Sequence, residues 1–320
     1  MTLGIAFLIA DLILLFSLLG FPSTGHAQDD PIRVDTNLIT VPVAVKDRDG
    51  RYISNLRKED FRIFENGIEQ ELSYFQPTDQ LFTVFLLLDV SDSMTYETRN
   101  MFNAANAFFE RLRADDRLIV ATFDNRVDTY INNKPVEDVR RGKGKIRFLI
   151  VPSRGDTMVY DAVDHAIDKM KRIRGRKAII LFSDGKGSGY SHTAEDNLRE
   201  AEEQEAMIYA LQYDTLLPPG MTVNEKESAR HRKKKETAEW YMRELAEQTG
   251  GRYFEMKSIS NLADAFKTIA LELGQQYSLG YYAKVTGKNG ERRQIKVKVN
   301  VPDAAVRSRA SYVVGATKDR

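Results

Sequence analysis

Phe82-Thr83-Val84-Phe85-Leu86-Leu87-Leu88-Asp89-Val90-Ser91-Asp92-Ser93-Met94 is the stretch on which the reading of this chain turns. Residues 82–88 form an apolar run without the alternation of a half-buried strand, as a parallel strand covered on both faces requires. The run ends on a carboxylate, and hydroxyls follow at Ser91 and Ser93. In an open parallel sheet the carboxyl end of a strand is where ligands are held.

Outward from this stretch the theme repeats. Residues 118–123, 178–182 and 207–211 are further apolar runs. Between them Met101, Ala104, Ala105, Phe108, Phe109 and Leu112, and again Ala162, Ala166, Ile167 and Met170, recur at helical spacing. Strand-helix alternation of this kind predicts an α/β fold: an open, mostly parallel sheet with helices on both faces. Residues 214–236, with Pro218-Pro219-Gly220 and dense charge, read as a long surface loop.

The flanks have a different texture. Ile39, Val41, Val43 and Val45 alternate with Thr40, Pro42 and Ala44, and Ile295, Val297, Val299 and Val301 alternate with Lys296, Lys298 and Asn300. Both are strand patterns. Asp49-Gly50, Asn66-Gly67 and Lys288-Asn289-Gly290 supply turns. Pro42 argues for an edge strand or a bulge, because proline donates nothing to a ladder. Neither flank is large enough to hold a core alone. The expectation is that residues 28–79, an immunoglobulin-like half, and residues 275–320 pack together as one β-sandwich, with the α/β domain of residues 80–274 inserted between them.

Composition narrows the function. The 320 residues are 42% hydrophobic and 29% charged, with a net charge of +1, which removes the electrostatic case for a nucleic-acid partner. The basic run of residues 230–235 lies among acidic residues and reads as a solvated loop or helix start. Zero cysteines exclude disulfides, thiolate metal sites and a cysteine nucleophile. Residues 3–21 are almost continuously apolar and lead into Gly25-His26-Ala27, which reads as an export signal covering residues 1–27 and cleaved before Gln28. An uncleaved membrane anchor stays open, since Asp11 interrupts the run and no Lys or Arg precedes it. Either way the rest of the chain is expected outside the cytoplasm: secreted, periplasmic or in the cell envelope.

Asp89, Ser91 and Ser93 present three oxygens from alternating positions of one turn. Thr157, in Gly155-Asp156-Thr157-Met158, and Asp184, in Phe182-Ser183-Asp184-Gly185, add two more at equivalent loops. Hard cations such as Mg²⁺ take oxygen ligands of this kind. The alternative for the first three is helix N-capping, which Ser and Asp commonly serve.

The order Asp-x-Ser-x-Ser, then a lone Thr, then Asp-Gly after an apolar strand resembles the metal-ion-dependent adhesion site of von Willebrand factor A-type domains. Thr249-Gly250-Gly251-Arg252-Tyr253-Phe254 is similar to the approach to the last strand of that fold. The resemblance implies a Rossmann-like, doubly wound sheet with one antiparallel edge strand. It also implies a metal set of Asp89, Ser91, Ser93, Thr157 and Asp184, holding Mg²⁺ or, in its place, Mn²⁺ or Ca²⁺. The flanks, through Asp60-Phe61, Glu65-Asn66-Gly67 and Leu279-Gly280-Tyr281, resemble those of exported acidobacterial-type proteins carrying such a domain. Asp92 stands where a small residue is usual, and Asp156 is a further carboxylate nearby. Either would join the outer shell of the ion or repel an acidic partner.

Three neutral hydroxyls and two carboxylates leave a bound cation electrophilic. The resemblance then implies a binding module rather than an enzyme, its metal completed by an acidic side chain of a protein partner. Two other classes stay open: a metal-dependent hydrolase with Asp92 or Asp156 as base, and a structural or sensory envelope component whose metal stabilises the fold. Of the four histidines, His26 falls in the leader, His231 in the basic run and His192 after Gly187-Ser188-Gly189, while His165 sits at helical spacing. Arg154-Gly155-Asp156 and Gly187-Ser188-Gly189 are short matches read as loops, and Tyr241, Met242 and Leu245 as a helix face packed on the sheet.

Overall fold

The computed structural model describes residues 38–315 apart from 79, 144–145, 147, 149–156, 214–224 and 286. The proposed leader, Asp156 and the Arg154-Gly155-Asp156 tripeptide lie outside the described residues.

Strand β5 (Phe82–Asp89) is buried along its whole length, as its sequence requires. It lies in a six-stranded sheet of order β10-β9-β8-β5-β6-β7, with β6 (Arg117–Phe123), β7 (Val127–Pro135), β8 (Arg176–Ser183), β9 (Met207–Tyr213) and β10 (Arg252–Met256). All pairings are parallel except β6 with β7, which makes β7 the antiparallel edge. Alternate side chains of β5 feed two cores. Val84, Leu86 and Leu88 pack with Met101, Phe108 and Phe109 of α1 (Thr98–Phe109) and Phe266 and Ile269 of α6 (Leu262–Leu273). Phe85 and Leu87 pack on the other face with α3 (Val159–Lys171), α4 (Ala194–Glu203) and α5 (Glu225–Gln248), through residues such as Ile167, Leu198, Tyr241, Met242 and Leu245. A short α2 (Val136–Lys143) follows β7. The chain leaves β5 toward β6 but runs from β8 toward β9 on the opposite side, so the strand order reverses between β5 and β8. Their carboxyl ends flank the crevice that such a reversal opens.

The expected loop over 214–236 is corrected in its second half: α5 begins at Glu225. Its C-terminal apolar face is held by the sheet, and helical structure continues through the charged turns because Glu, Lys, Arg and Ala are strong helix formers.

Four strands come from each flank. One sheet runs β13-β1-β11-β4 and the other β14-β12-β2-β3. The N-terminal flank supplies β1 (Leu38–Lys46), β2 (Phe61–Glu65), β3 (Ile68–Gln70) and β4 (Leu72–Gln76), and the C-terminal flank β11 (Tyr277–Tyr282), β12 (Arg292–Val299), β13 (Ala305–Ser308) and β14 (Ser311–Val313). Val41, Val43, Val45, Ile63, Leu279 and Val297 meet in one shared core. Asn66 and Gly67, at φ 47° and 83°, close the β2–β3 hairpin as their sequence predicts. The reading of Pro42 needs correction: β1 is an inner strand, paired with β11 on one side and β13 on the other. Proline is tolerated because β13 pairs only with Val43, Ala44, Val45 and Lys46, which leaves β1 without a neighbour on that side at Pro42.

Buried polar contacts tie the flanks to each other and to the α/β domain. Glu65 on β2 meets Arg293 in an ion pair and accepts from Tyr281 Oη and Tyr312 Oη, each at 2.8 Å. Glu272 on α6, fully buried, pairs with Arg307 of β13 and accepts from Tyr209 Oη at 2.5 Å and Tyr52 Oη at 2.7 Å.

Candidate metal centre

Asp89 is the last residue of β5 and has no exposed surface. Its Oδ1 accepts the backbone N–H of Ser91 at 2.9 Å, and its Oδ2 accepts the hydroxyl of Ser183 at 2.5 Å. Ser183 in turn accepts the N–H of Gly185 at 2.9 Å, so the ends of β5 and β8 are joined through side chains. Asp184, also fully buried, follows Ser183, and its Oδ1 accepts the N–H of Lys186 at 2.9 Å. Burial, and then the negative charge of Asp184, push the Asp89 carboxyl up to about 7, while hydrogen bonds from Ser183 and Ser91 work against the rise.

The hydroxyls of Ser91 and Ser93 lie 3.2 Å apart. Ser91 precedes a single 3-10 turn, Asp92–Met94, yet its side chain makes no capping bond, and α1 starts only at Thr98. N-capping therefore does not account for these hydroxyls. Ser91 is buried, whereas Ser93 and Asp92 face solvent. Met94, wholly buried, anchors the turn to the core beneath.

Thr157 is buried and arrives from a third loop. Its carbonyl accepts the N–H of Ser188 at 3.0 Å, and the neighbouring Met158 N–H donates to the Asp124 carbonyl at 2.8 Å. Thr157 is thus bound by backbone to the loop after β8 and, through Met158, to the loop after β6. Gly187 permits this: a Cβ there would stand 2.7 Å from the Thr157 carbonyl oxygen. The hydrogen bonds described join Asp89 directly to Ser91 and Ser183, and tie Thr157 in through the loops rather than through its hydroxyl.

Two further residues belong to the surroundings of the centre. Ser183 contacts Asp89 directly, and its signal was its place beside Asp184 at the end of an apolar run. Asp124 is buried immediately after β6, a carboxylate at a strand end like Asp89. Of the histidines, His165 lies on α3 against Phe85, and His192 bonds through Nδ1 to Asp161 Oδ1 at 2.8 Å. Asp161 also accepts the backbone N–H groups of Tyr190, Ser191 and His192. The Gly187-Ser188-Gly189 loop is pinned accordingly: a Cβ on Gly189 would stand 2.0 Å from the His192 carbonyl oxygen.

Among the described residues no three His, Cys, Asp or Glu side chains are grouped to hold a metal ion. The centre is instead two buried carboxylates among hydroxyls. That donor set fits a hard divalent cation, because a cation beside Asp89 and Asp184 would offset both the burial and the Asp184 charge that raise Asp89.

Residues 84–186 match the model of the von Willebrand factor type A domain family. The chain carries a von Willebrand factor type A domain. The matched stretch runs from β5 to just beyond Asp184 and so takes in all five candidate ligands. A comparison with curated proteins found no match. Among solved structures, proximal thread matrix protein 1 of the mussel byssus is 14% identical over 71% of this chain and 49% of its own, with a TM-score of 0.46. BatB from Bacteroides thetaiotaomicron is 16% identical over 61% of this chain and 97% of its own, at 0.41. A von Willebrand factor type A protein from Catenulispora acidiphila is 12% identical over 79% and 73%, at 0.43. The chain thus spans about half the length of the mussel protein.

Proposed function

We propose that the type A domain is a divalent-cation-dependent protein-binding module of an exported or envelope protein. Asp89, Ser91, Ser93, Thr157 and Asp184 would hold the ion, Mg²⁺ or in its place Mn²⁺ or Ca²⁺. The observation that carries this reading is the pair of fully buried carboxylates, Asp89 and Asp184, at the strand-order reversal, with hydroxyls beside them that cap no helix. When bound, the cation supplies an electrophilic centre for an acidic side chain of the partner. The chain's own residues do the rest. Ser183 and the Ser91 amide hold the Asp89 carboxylate in one orientation, Met94 locks the loop that presents Ser93 at the surface, and solvent-facing Ser93 and Asp92 mark the side from which a partner enters. Among the described residues no helix is long and apolar enough to cross a membrane. Export itself rests on residues 1–27.

Calorimetric titration with Mg²⁺ and Mn²⁺ tests the centre. Asp89→Ala should abolish binding while the sheet survives, and Ser91→Ala and Ser93→Ala should each weaken it less, because water replaces a neutral oxygen more readily than a carboxylate. Equal affinity in wild type and Asp89→Ala would overturn the reading. Pull-down from an envelope extract with Mg²⁺ against EDTA then tests the partner.

A further inference from the structure

A second cluster of charge lies where the β13-β1-β11-β4 sheet meets the type A domain. A cleft of about 410 Å³ is lined there by Lys46 of β1, Arg243 and Glu247 of α5, Arg252 and Tyr253 of β10, and Arg307 of β13. That volume falls in the range of roughly 300–1,000 Å³ typical of small-ligand pockets. Four of these side chains are cations and one is an anion. Arg307 is engaged by buried Glu272 and donates to the Gly251 carbonyl at 3.1 Å, and Arg243 bonds Glu239 at 2.8 Å while stacking 4.4 Å over Tyr253. Lys46 and Arg252 instead meet aromatic faces, Lys46 Nζ at 4.5 Å from the Tyr52 ring and Arg252 at 4.6 Å from the Phe254 ring. Neither is ion-paired among the described residues.

The charges act on one another. The Lys46 ammonium is held below its ordinary value by partial burial and then by Arg252 and Arg307, and the same two arginines act on Tyr52. Like charges gathered in one place cost free energy, and an anion between them returns it. The backbone beside the cleft is closely packed. A Cβ on Gly250 would stand 2.4 Å from the Arg309 amide nitrogen, and one on Gly251 1.9 Å from the Ile208 carbonyl oxygen. The first approach sets the end of β13 against the turn before β10, and the second sets that turn against β9. Cations carried on a closely packed backbone and seated on aromatic faces suit an oxyanion, and the guanidinium of Arg252 can offer two parallel N–H donors to it.

We infer that this cleft is an oxyanion-binding site, taking a carboxylate- or phosphate-bearing ligand across the junction, with Lys46 and Arg252 as its binding cations. It stands apart from the Asp89 centre and does not depend on it.

The test is calorimetric titration of the whole protein, at constant ionic strength and in EDTA, with inorganic phosphate in one arm and succinate in the other. Wild type should bind at least one of them saturably at one site, and the arm that binds identifies the source of the oxyanion. Lys46→Gln/Arg252→Gln should weaken that binding by at least about tenfold, the loss of one charge-assisted hydrogen bond. Its melting temperature should be unchanged or raised, because mutually repelling charges have gone. In wild type alone, NMR titration of the ¹³C-methylated Lys46 amine should move upward when the anion is saturating. Absence of saturable binding in both arms, equal affinity in the double variant, or an unmoved Lys46 titration would overturn the assignment.

Discussion

Asp89→Asn removes one negative charge from the candidate metal centre and keeps its shape. The carboxyl of Asp89 rises from 3.8 to about 7 on folding. Each pH unit is worth about 1.4 kcal/mol, so a fully buried group shifted by roughly 3 units carries a cost on the order of 4 kcal/mol. The sign follows from proton uptake. Between about pH 4 and 7 the folded protein holds a proton that the unfolded chain has lost, so stability present below pH 4 drains away as the pH rises to about 7. Above that the metal-free wild type bears the whole cost, and the Asn variant bears none. Some of the gain is given back at Ser183, whose hydroxyl must turn to accept from the new amide, at about 1 kcal/mol. In urea denaturation with EDTA, Asp89→Asn should therefore exceed wild type by about 3 kcal/mol at pH 8, with the gap closing toward pH 4. Added Mg²⁺ should stabilise wild type at pH 8 and leave the variant unmoved. A variant no more stable than wild type in EDTA at pH 8 would refute the reasoning, for it would mean that the fold already compensates the Asp89 charge.

Three further outcomes are expected. Arg293→Ala strands Glu65 in the core shared by the two flanks and should cost about 3–5 kcal/mol by chemical denaturation, whereas trimming exposed Lys296 should cost well under 1 kcal/mol. Ending the chain after Gly274 removes β11 and β12, the partners of β1 and β2; amides of residues 39–45 should then exchange freely with deuterium while those of β5 stay protected, and retained protection at 39–45 would defeat the idea of one joint folding unit. Gly251→Ala should fail to fold or lose several kcal/mol, because its Cβ would meet the Ile208 carbonyl at 1.9 Å, while Gly290→Ala, with open space but φ +82°, should lose only about 1 kcal/mol in a thermal melt.

Much was legible in order and periodicity. The uninterrupted apolar run before Asp89 defined a strand buried on both faces, because only such a strand can do without polar alternation, and its repetition between helical patterns defined an open, mostly parallel α/β sheet; the type A fold was implied by the resemblance of the Asp-x-Ser-x-Ser, Thr and Asp-Gly order. The five candidate ligands were named as oxygen donors near strand ends and helix starts, and the resemblance of their order to the adhesion site implied that they form one set. Residues 225–236 were misread because charge density signals exposure, and an exposed helix and a loop share it. Only packing of the later turns of α5 against the sheet separates them. Pro42 misled because a strand can be inner along part of its length and open beside the proline, which depends on where β13 ends.

Tertiary structure alone decided which distant groups meet. Ser183 bonding Asp89 spans 94 residues, and the burial that lifts the Asp89 carboxyl, with the Asp184 charge that adds to it, arises because β5 and β8 lie side by side inside the sheet, far apart though they are in the chain. The cationic cleft is the plainest case. Lys46, Arg252 and Arg307 carry no shared pattern along the chain, whose net charge of +1 gives no hint of a locally positive site. Periodicity reports what each residue does to its own strand or helix; charge meeting charge across a junction depends on the distance between elements, and folding sets that distance.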